Sequence, residues 1–405
     1  MHENNNMKKQ FKILLYILFS TLIISCFAFA SFGQEEYKDL KNKDLKELYP
    51  GGLFYEVEHY SQSKKSKQLK NIILMIGDGM GLAQVYSAMT ANGGHLYLEN
   101  FRNIGFSRTY SSDNYITDSA AGGTALATGV KTYNGAIGVD PDKKPVINIR
   151  ELAEYKGLKT GIISTSSITH ATPASFIAHV DSRGSYEDIA LDFLKTNIDV
   201  FIGGGIKNFE ERRDRRNLSQ ELKDKSYQVL YTIEDIQKVK SGKLAGLTAQ
   251  EHNKPMPERG EMLVPATQIA INILSQSKKG FFLMVEGSEI DFFGHRNSLP
   301  GVILETLDFD RAVGVALKFA AYNRETLVIV TADHETGGMS INNGNYKTGE
   351  VSAIFTNGSH TGITVPIFAF GPGADLFTGF MENIDIAKKM MILLKVEKQN
   401  FSIKY

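Results

Sequence analysis

From Asn71 onward the chain repeats one pattern. A short unbroken apolar run closes on glycine or a polar turn, and a stretch with helical spacing follows. The clearest runs are IILMIG (72–77), KTGIIS (159–164), VFIGGG (200–205), FFLMVEG (281–287), TLVIVTAD (326–333) and VPIFAFG (365–371). Continuous apolar runs of this length, without alternation, read as strands buried on both faces, the habit of parallel sheets. The stretch 302–321, before TLVIV, has helical spacing. The alternation predicts a doubly wound α/β fold: a mostly parallel central sheet with helices on both faces and an active site at the carboxyl ends of the strands. The stretch 207–262 is more polar, and its RRDRR run (212–216) reads as a solvated helix face.

The N-terminal region departs from this pattern. Lys8, Lys9 and Lys12 precede an apolar run from Ile13 to Ala30, the layout of an export signal. Residues 1–33 are therefore expected to be removed, at Ala28-Phe29-Ala30 or Ser31-Phe32-Gly33, leaving a periplasmic or secreted protein. Ile23-Ile24-Ser25-Cys26 has the shape of a lipobox, so a lipoprotein anchored through Cys26 is one alternative and an uncleaved anchor another. Residues 34–70 are dense in Lys, Asp and Glu, with Pro50-Gly51-Gly52 as a break, and read as a polar arm with one short helix. Residues 71–405 form the expected catalytic domain.

Composition narrows the chemistry. With 42% hydrophobic and 22% charged residues the chain is neither disordered, nor a coiled coil, nor a multi-span membrane protein. Its 45 basic residues balance 45 acidic ones, which argues against nucleic acid as a specific partner. One cysteine allows neither an intrachain disulfide nor a cysteine-based zinc site, so any metal must be held by His, Asp, Glu and hydroxyl groups.

Those groups collect where the strands end. IILMIG is followed by Asp78; FFLMV by Glu286, with Asp291 and His295 beyond; TLVIVTA by Asp333 and His334. Each alone could be a helix cap or a solvated charge, but several strand ends do the same thing. Asp291 and His295, four apart, share one helix face and can bind one ion. Adjacent Asp333 and His334 could serve a second, and carboxylate with imidazole suits Zn²⁺. The glycine string GDGMG (77–81) resembles a dinucleotide loop, but its spacing is short and Asp78 would repel a pyrophosphate, so a metal carboxylate on a tight turn fits better. Ser119 opens a small-residue helix, where it is either a cap or a nucleophile; with no triad histidine nearby it would need a metal to act as an alkoxide. His2 lies in the leader, and His59, His95 and His252 read as surface histidines without partners.

Six ordered segments resemble the metal-dependent alkaline phosphatases, over about Asn71 to Pro372. They are MIGDGMG, TDSAAGGTALATGVKTYNGAIGVD (117–140), HATPASFIAHVDSR (170–183), VEGSEIDFFGH (285–295), VTADHETGG (330–338) and GSHTG (358–362). The resemblance implies hydrolysis of phosphate monoesters by double displacement, with Ser119 as nucleophile and a phosphoserine intermediate. It implies one zinc on Asp291, His295 and His360, and another on Asp78, Asp333 and His334 with Ser119. A magnesium would use Asp78, Thr172 and Glu286, and Arg183 would clamp the phosphate. Asp118, His170 and Phe292 would surround these groups without binding the ions directly, and His179 is left as structural. A homodimer is implied by the resemblance alone.

Two positions depart from the pattern of some bacterial members. His170 stands where they have an Asp near the magnesium, and Phe292 where they have a Lys after the zinc Asp. Magnesium occupancy and phosphate release are expected to feel both. The rival readings are a relative that prefers phosphodiesters, sulfate esters or phosphonates, and a phosphate-binding protein on the same scaffold. The second would be expected to have lost Ser119 or a ligand, and neither is lost.

Overall fold

The computed structural model describes residues 46–52, 54–62 and 68–395. The export signal, the lipobox at Cys26 and the arm before Lys46 lie outside the described residues. The strands, in chain order, are β1 (Lys46–Tyr49), β2 (Asn71–Gly77), β3 (Asn103–Arg108), β4 (Lys159–Ser167), β5 (Val200–Gly204), β6 (Tyr227–Leu230), β7 (Lys243–Leu247), β8 (Phe281–Gly287), β9 (Thr326–Thr331), β10 (Glu335–Thr336), β11 (Met339–Asn345), β12 (Glu350–Phe355), β13 (His360–Thr361), β14 (Val365–Phe370) and β15 (Gly379–Glu382). Ten of them form the central sheet, in the order β15-β3-β14-β9-β2-β8-β4-β5-β7-β6. Among the described residues of the arm, the expected short helix does not occur; β1 is extended and residues 68–70 are irregular.

Period-two geometry sends alternate residues of the central strands to opposite layers. Ile73, Met75, Leu283, Val285, Val328 and Val330 pack on one side with Val302, Ile303, Val313 and Leu317 of the long helix Leu299–Asn323. Ile72, Leu74, Ile76, Phe282, Met284, Leu327 and Ile329 pack on the other, with Leu126, Leu152, Phe193 and Ile386. Both layers are apolar because helices cover both faces, which is why the sequence shows unbroken runs.

Two expectations need correction. VPIFAF was read among the parallel strands, but β14 pairs antiparallel with both β9 and β3. Between Thr331 and Val365 no helix crosses the sheet; the chain makes the β11–β12 hairpin and returns at the edge it left, so β14 must run backwards. An apolar run encodes burial and not direction. RRDRR is not a helix face either. It is a turn ahead of helix Leu218–Asp224, in which Arg212 pairs with Asp214 at 2.6 Å, Arg213 with Glu187 and Arg216 with Glu221.

The loop before helix Leu263–Leu274 is tied to helix Leu299–Asn323 by Arg259, whose Nη2 lies 2.7 Å from Glu305 Oε2 and 2.7 Å from Asp308 Oδ2. All three side chains are 1–2% exposed. Removing Arg259 strands the Glu305 carboxylate in the interior, while Asp308 keeps Arg311 Nη2 at 2.9 Å. Arg259→Ala should therefore cost about 3–5 kcal/mol in urea unfolding; an unchanged midpoint would mean that the carboxylates find water or another partner.

Candidate active site

The catalytic edge of the sheet is where β2, β8, β9 and β4 end. Asp78 follows β2, Glu286 is the sixth residue of β8, and Asp333 and His334 follow β9. Helix Glu289–His295, which begins directly after β8, turns Asp291 and His295 to the same place, their carboxylate and imidazole 3.4 Å apart. His360 reaches it on β13, just ahead of the antiparallel β14. Gly79 makes the convergence sterically feasible. It has φ +70°, and a Cβ there would stand 2.9 Å from Asp291 Cα and 2.7 Å from Thr336 Oγ1. Its N–H donates to Asp333 Oδ1 at 3.3 Å. The glycine string thus faces carboxylates, which disposes of the dinucleotide loop.

The side chains form three groups, in each of which one potential ligand atom per residue lies within 4.8 Å of the others: Asp291, His295 and His360; Asp78, Asp333 and His334; Asp78, His170 and Glu286. Asp78 belongs to two of them. Ser119 Oγ lies 3.2 Å from His334 Nε2, and Thr172 Oγ1 donates to Asp78 Oδ2 at 3.3 Å. The polar atoms fit cations. Asp78 Oδ1, Glu286 Oε1 and Asp333 Oδ2 are buried without a hydrogen-bond partner, a costly arrangement for anionic oxygens unless a cation is held. The imidazoles agree. His295 Nδ1 faces Gly358 O at 2.8 Å, His360 Nδ1 faces Thr117 O at 2.9 Å and His334 Nδ1 faces Thr336 Oγ1 at 3.2 Å. Each Nδ1 therefore carries a proton, and each Nε2 is the ring atom turned inward, the one that can ligate a cation once any proton on it is displaced. His295 Nε2 and His360 Nε2 stand 3.1 Å apart, which requires a proton or a metal ion between them.

Burial drives the charges of this edge. It raises Asp78, with Asp333, Asp291 and Glu286 adding repulsion, and it raises Glu286. Burial and the charge of Asp291 push Asp333 up to about 7. Asp291 goes the other way: burial would raise it, but the hydrogen bond from His295 and the surrounding imidazoles hold it below the usual carboxylate range. Its partner His295 rises to about 9. His170, buried and beside Arg183 and His252, falls to about 3 and is neutral.

Asp118 organises the other wall. It is the N-cap of helix Ser119–Thr128, accepting from Ala121 N at 2.9 Å, so Ser119 is the first helical residue and not the cap. Its second oxygen accepts from Arg183 Nη1 at 2.9 Å and from Gly135 N at 3.0 Å. Arg183 Nη2 donates to His170 Nε2 at 3.2 Å.

All the singled-out residues meet at this edge, and His170 comes within ligand reach of Asp78 and Glu286 where it was expected only to flank the ions. Others were missed. His252, read as partnerless, packs its ring against His170 at 5.4 Å and Phe292 at 5.1 Å and accepts from Ser167 N at 3.2 Å. His95 also has a partner, Glu99 at 3.1 Å. Ser164 Oγ donates to Glu286 Oε2 at 2.5 Å. Glu335 accepts from Gln84 Nε2 at 2.7 Å and from the Thr361 hydroxyl, tying the loop of His334 to that of His360. Thr336 Oγ1 donates to Asp291 and accepts from His334 Nδ1, linking two of the groups. The ADHETGG segment contains both residues, but only the fold shows whom they touch.

Thr336→Val keeps the shape and removes both bonds. It should loosen divalent-metal binding roughly 10–100-fold in a competition titration with a chromophoric chelator; unchanged affinity would reduce Thr336 to packing.

A sequence model of the alkaline phosphatase family matches residues 69–358. Alkaline phosphatase 4 of Bacillus subtilis is 35% identical, an alignment covering 87% of this chain and 94% of that protein. Alkaline phosphatase from the Antarctic bacterium TAB5 is 41% identical and superimposes with a TM-score of 0.77, over 82% of this chain and 100% of that one. A variant of the TAB5 enzyme with one histidine changed to aspartate has been solved with magnesium in its M3 site. Family model, relatives and fold agree, and the chain belongs to the alkaline phosphatases, metal-dependent hydrolases of phosphate monoesters.

Proposed function

We propose that this enzyme transfers the phosphoryl group of a monoester to Ser119 and then to water, at a site for two zinc ions and one magnesium ion. The observation that carries this reading is the position of Ser119 Oγ, 3.2 Å from His334 Nε2 within a group of buried, unpartnered carboxylate oxygens. Asp291, His295 and His360 would hold one zinc; Asp78, Asp333 and His334 would hold the other, with Ser119 beside it. Asp78, Glu286 and Thr172 would hold magnesium, with His170 in reach. When bound, such ions lower the pKa of a ligated hydroxyl and offset charge on the entering and leaving oxygens.

The chain's own groups do the rest. Ser119 gives its hydroxyl proton to solvent and its Oγ attacks phosphorus in line with the leaving oxygen; the ester P–O bond breaks, and the leaving oxygen takes a proton from solvent and departs as the alcohol. Water then attacks from the vacated side, the phosphoserine P–O bond breaks, and inorganic phosphate leaves with the Ser119 hydroxyl restored. Helix Ser119–Thr128 points its positive end at the dianion throughout. Arg183, held through Nη1 by Asp118 and through Nη2 by neutral His170, has N–H donors left for two non-bridging oxygens. That arrangement favours a monoester dianion over a diester. Export rests on the leader pattern of residues 1–33, and a homodimer on family membership.

Ser119→Ala should abolish acid-trapped labelled phosphoenzyme and lower turnover by orders of magnitude while metal content stays the same. Full labelling of that variant would sink the nucleophile assignment. Arg183→Ala should weaken inhibition by inorganic phosphate and slow turnover. Two charge-assisted bonds bound the loss at roughly 3–6 kcal/mol, and water filling the gap reduces it. Unchanged phosphate affinity would remove Arg183 from the site.

A further inference from the structure

Arg183 sits on a segment whose fixing point lies away from the ions. The segment 177–183 runs beside the segment 135–138, with paired bonds Ile137 N to Val180 O at 3.0 Å and Val180 N to Ile137 O at 2.9 Å, and Arg183 N to Gly135 O at 2.7 Å. His179, on the first segment, spans both sides of this seam. Its Nδ1 faces Gly138 O at 2.6 Å, and its Nε2 faces Glu151 Oε1 at 3.0 Å. The seam is tight at that point. Gly138 has φ +63°, and a Cβ on it would stand 2.1 Å from Ala178 O and 2.8 Å from His179 Nδ1.

Carbonyl and carboxylate oxygens only accept, so both bonds exist together only if both ring nitrogens carry protons. Glu151 is itself fixed. Its Oε2 accepts from Asn148 N at 2.8 Å in a capping box, and the buried Arg150, whose Nε donates to Phe176 O at 2.5 Å, pairs with Glu154 at 2.7 Å and lies 3.7 Å from Glu151.

We infer that His179, as an imidazolium bridging Glu151 and the Gly138 carbonyl, is a positioning residue that sets the Arg183 guanidinium for phosphate. This rests on the proposed role of Arg183; His179 acts through the seam that carries Arg183 and not as a ligand of the proposed ions. The charge balance agrees: burial would lower His179, but the hydrogen bond and charge of Glu151 outweigh it and raise it, against an opposing contribution from Arg150. A cavity of about 820 Å³ borders the pair, and Glu154, Asp188, Asp192 and Lys195 are the other charged side chains that line it.

The test uses the metal-loaded enzyme. In the native protein, a ¹⁵N NMR titration of the His179 ring should give a midpoint above the ordinary histidine value of about 6.5; a midpoint at or below it overturns the inference without any variant. His179→Gln, whose one amide nitrogen cannot face both acceptors as the two ring nitrogens do, should raise the inhibition constant for inorganic phosphate about 10-fold. The ceiling is near the ~100-fold that a misplaced group costs, and zinc content should be unchanged. Glu151→Gln should show phosphate affinity that declines as pH passes about 6.5, where an unpaired imidazole loses its proton, while the parent holds its affinity to higher pH. In an Arg183→Ala background, His179→Gln should add nothing. If Arg183→Ala weakens phosphate and His179→Gln does not, the inference falls and the role of Arg183 stands. An equal loss in both backgrounds also overturns it, since His179 would then act by another route.

Discussion

Like charge held out of water is the constraint on which the catalytic edge depends. Asp78, Glu286 and Asp333 are buried, each keeps an oxygen without a hydrogen-bond partner, and each lies at the end of a parallel strand that cannot move without disturbing both core layers. Mutual repulsion and desolvation push all three toward the neutral acid. A rigid α/β sheet can carry such strain because its apolar layers on both faces supply the stability that the site consumes. The same charges make the site selective for small, highly charged cations, which are the partners that remove the repulsion at source.

Asp118 shows how few groups are needed to join the two halves of the site. One oxygen caps the helix that begins with Ser119; the other receives Arg183 and the Gly135 N–H. The proposed nucleophile and the proposed phosphate clamp are thus referred to a single carboxylate, with a seam of backbone bonds behind it. Orientation of this kind is worth most when it is already set before substrate arrives.

What could be read from the sequence was what local pattern encodes. Strands β2, β8 and β9 announced themselves because burial on both faces leaves no polar position, and Asp78, Glu286, Asp333 and His334 could be placed because strand ends in such folds converge. Direction was not encoded, and β14 was read wrongly for that reason. The edge strands β6 and β15 were missed because an edge needs no continuous apolar run. Contacts made by loops distant in sequence were also out of reach. Thr336 meets Asp291 across 45 positions, and His252 meets His170 with β5, β6 and β7 between them in the chain. The tautomers of His295, His334 and His360 became legible only with their Nδ1 partners in view.

His170, His252 and Phe292 form an aromatic corner in which each ring meets the other two nearly edge-on, at 5.1–5.6 Å. None of them brings a negative charge to Arg183. A carboxylate at position 170 would stand where the neutral imidazole now accepts from Nη2, and would satisfy the guanidinium from both ends before phosphate arrived. With Asp118 as its single carboxylate partner, Arg183 keeps more of its charge for the substrate and for the product alike. Phe292 is uncharged, so it adds no second cation beside the proposed phosphate clamp. If Arg183 is the phosphate clamp proposed above, the corner leaves that recognition to one arginine, whose aim is set by Asp118 and the seam behind it.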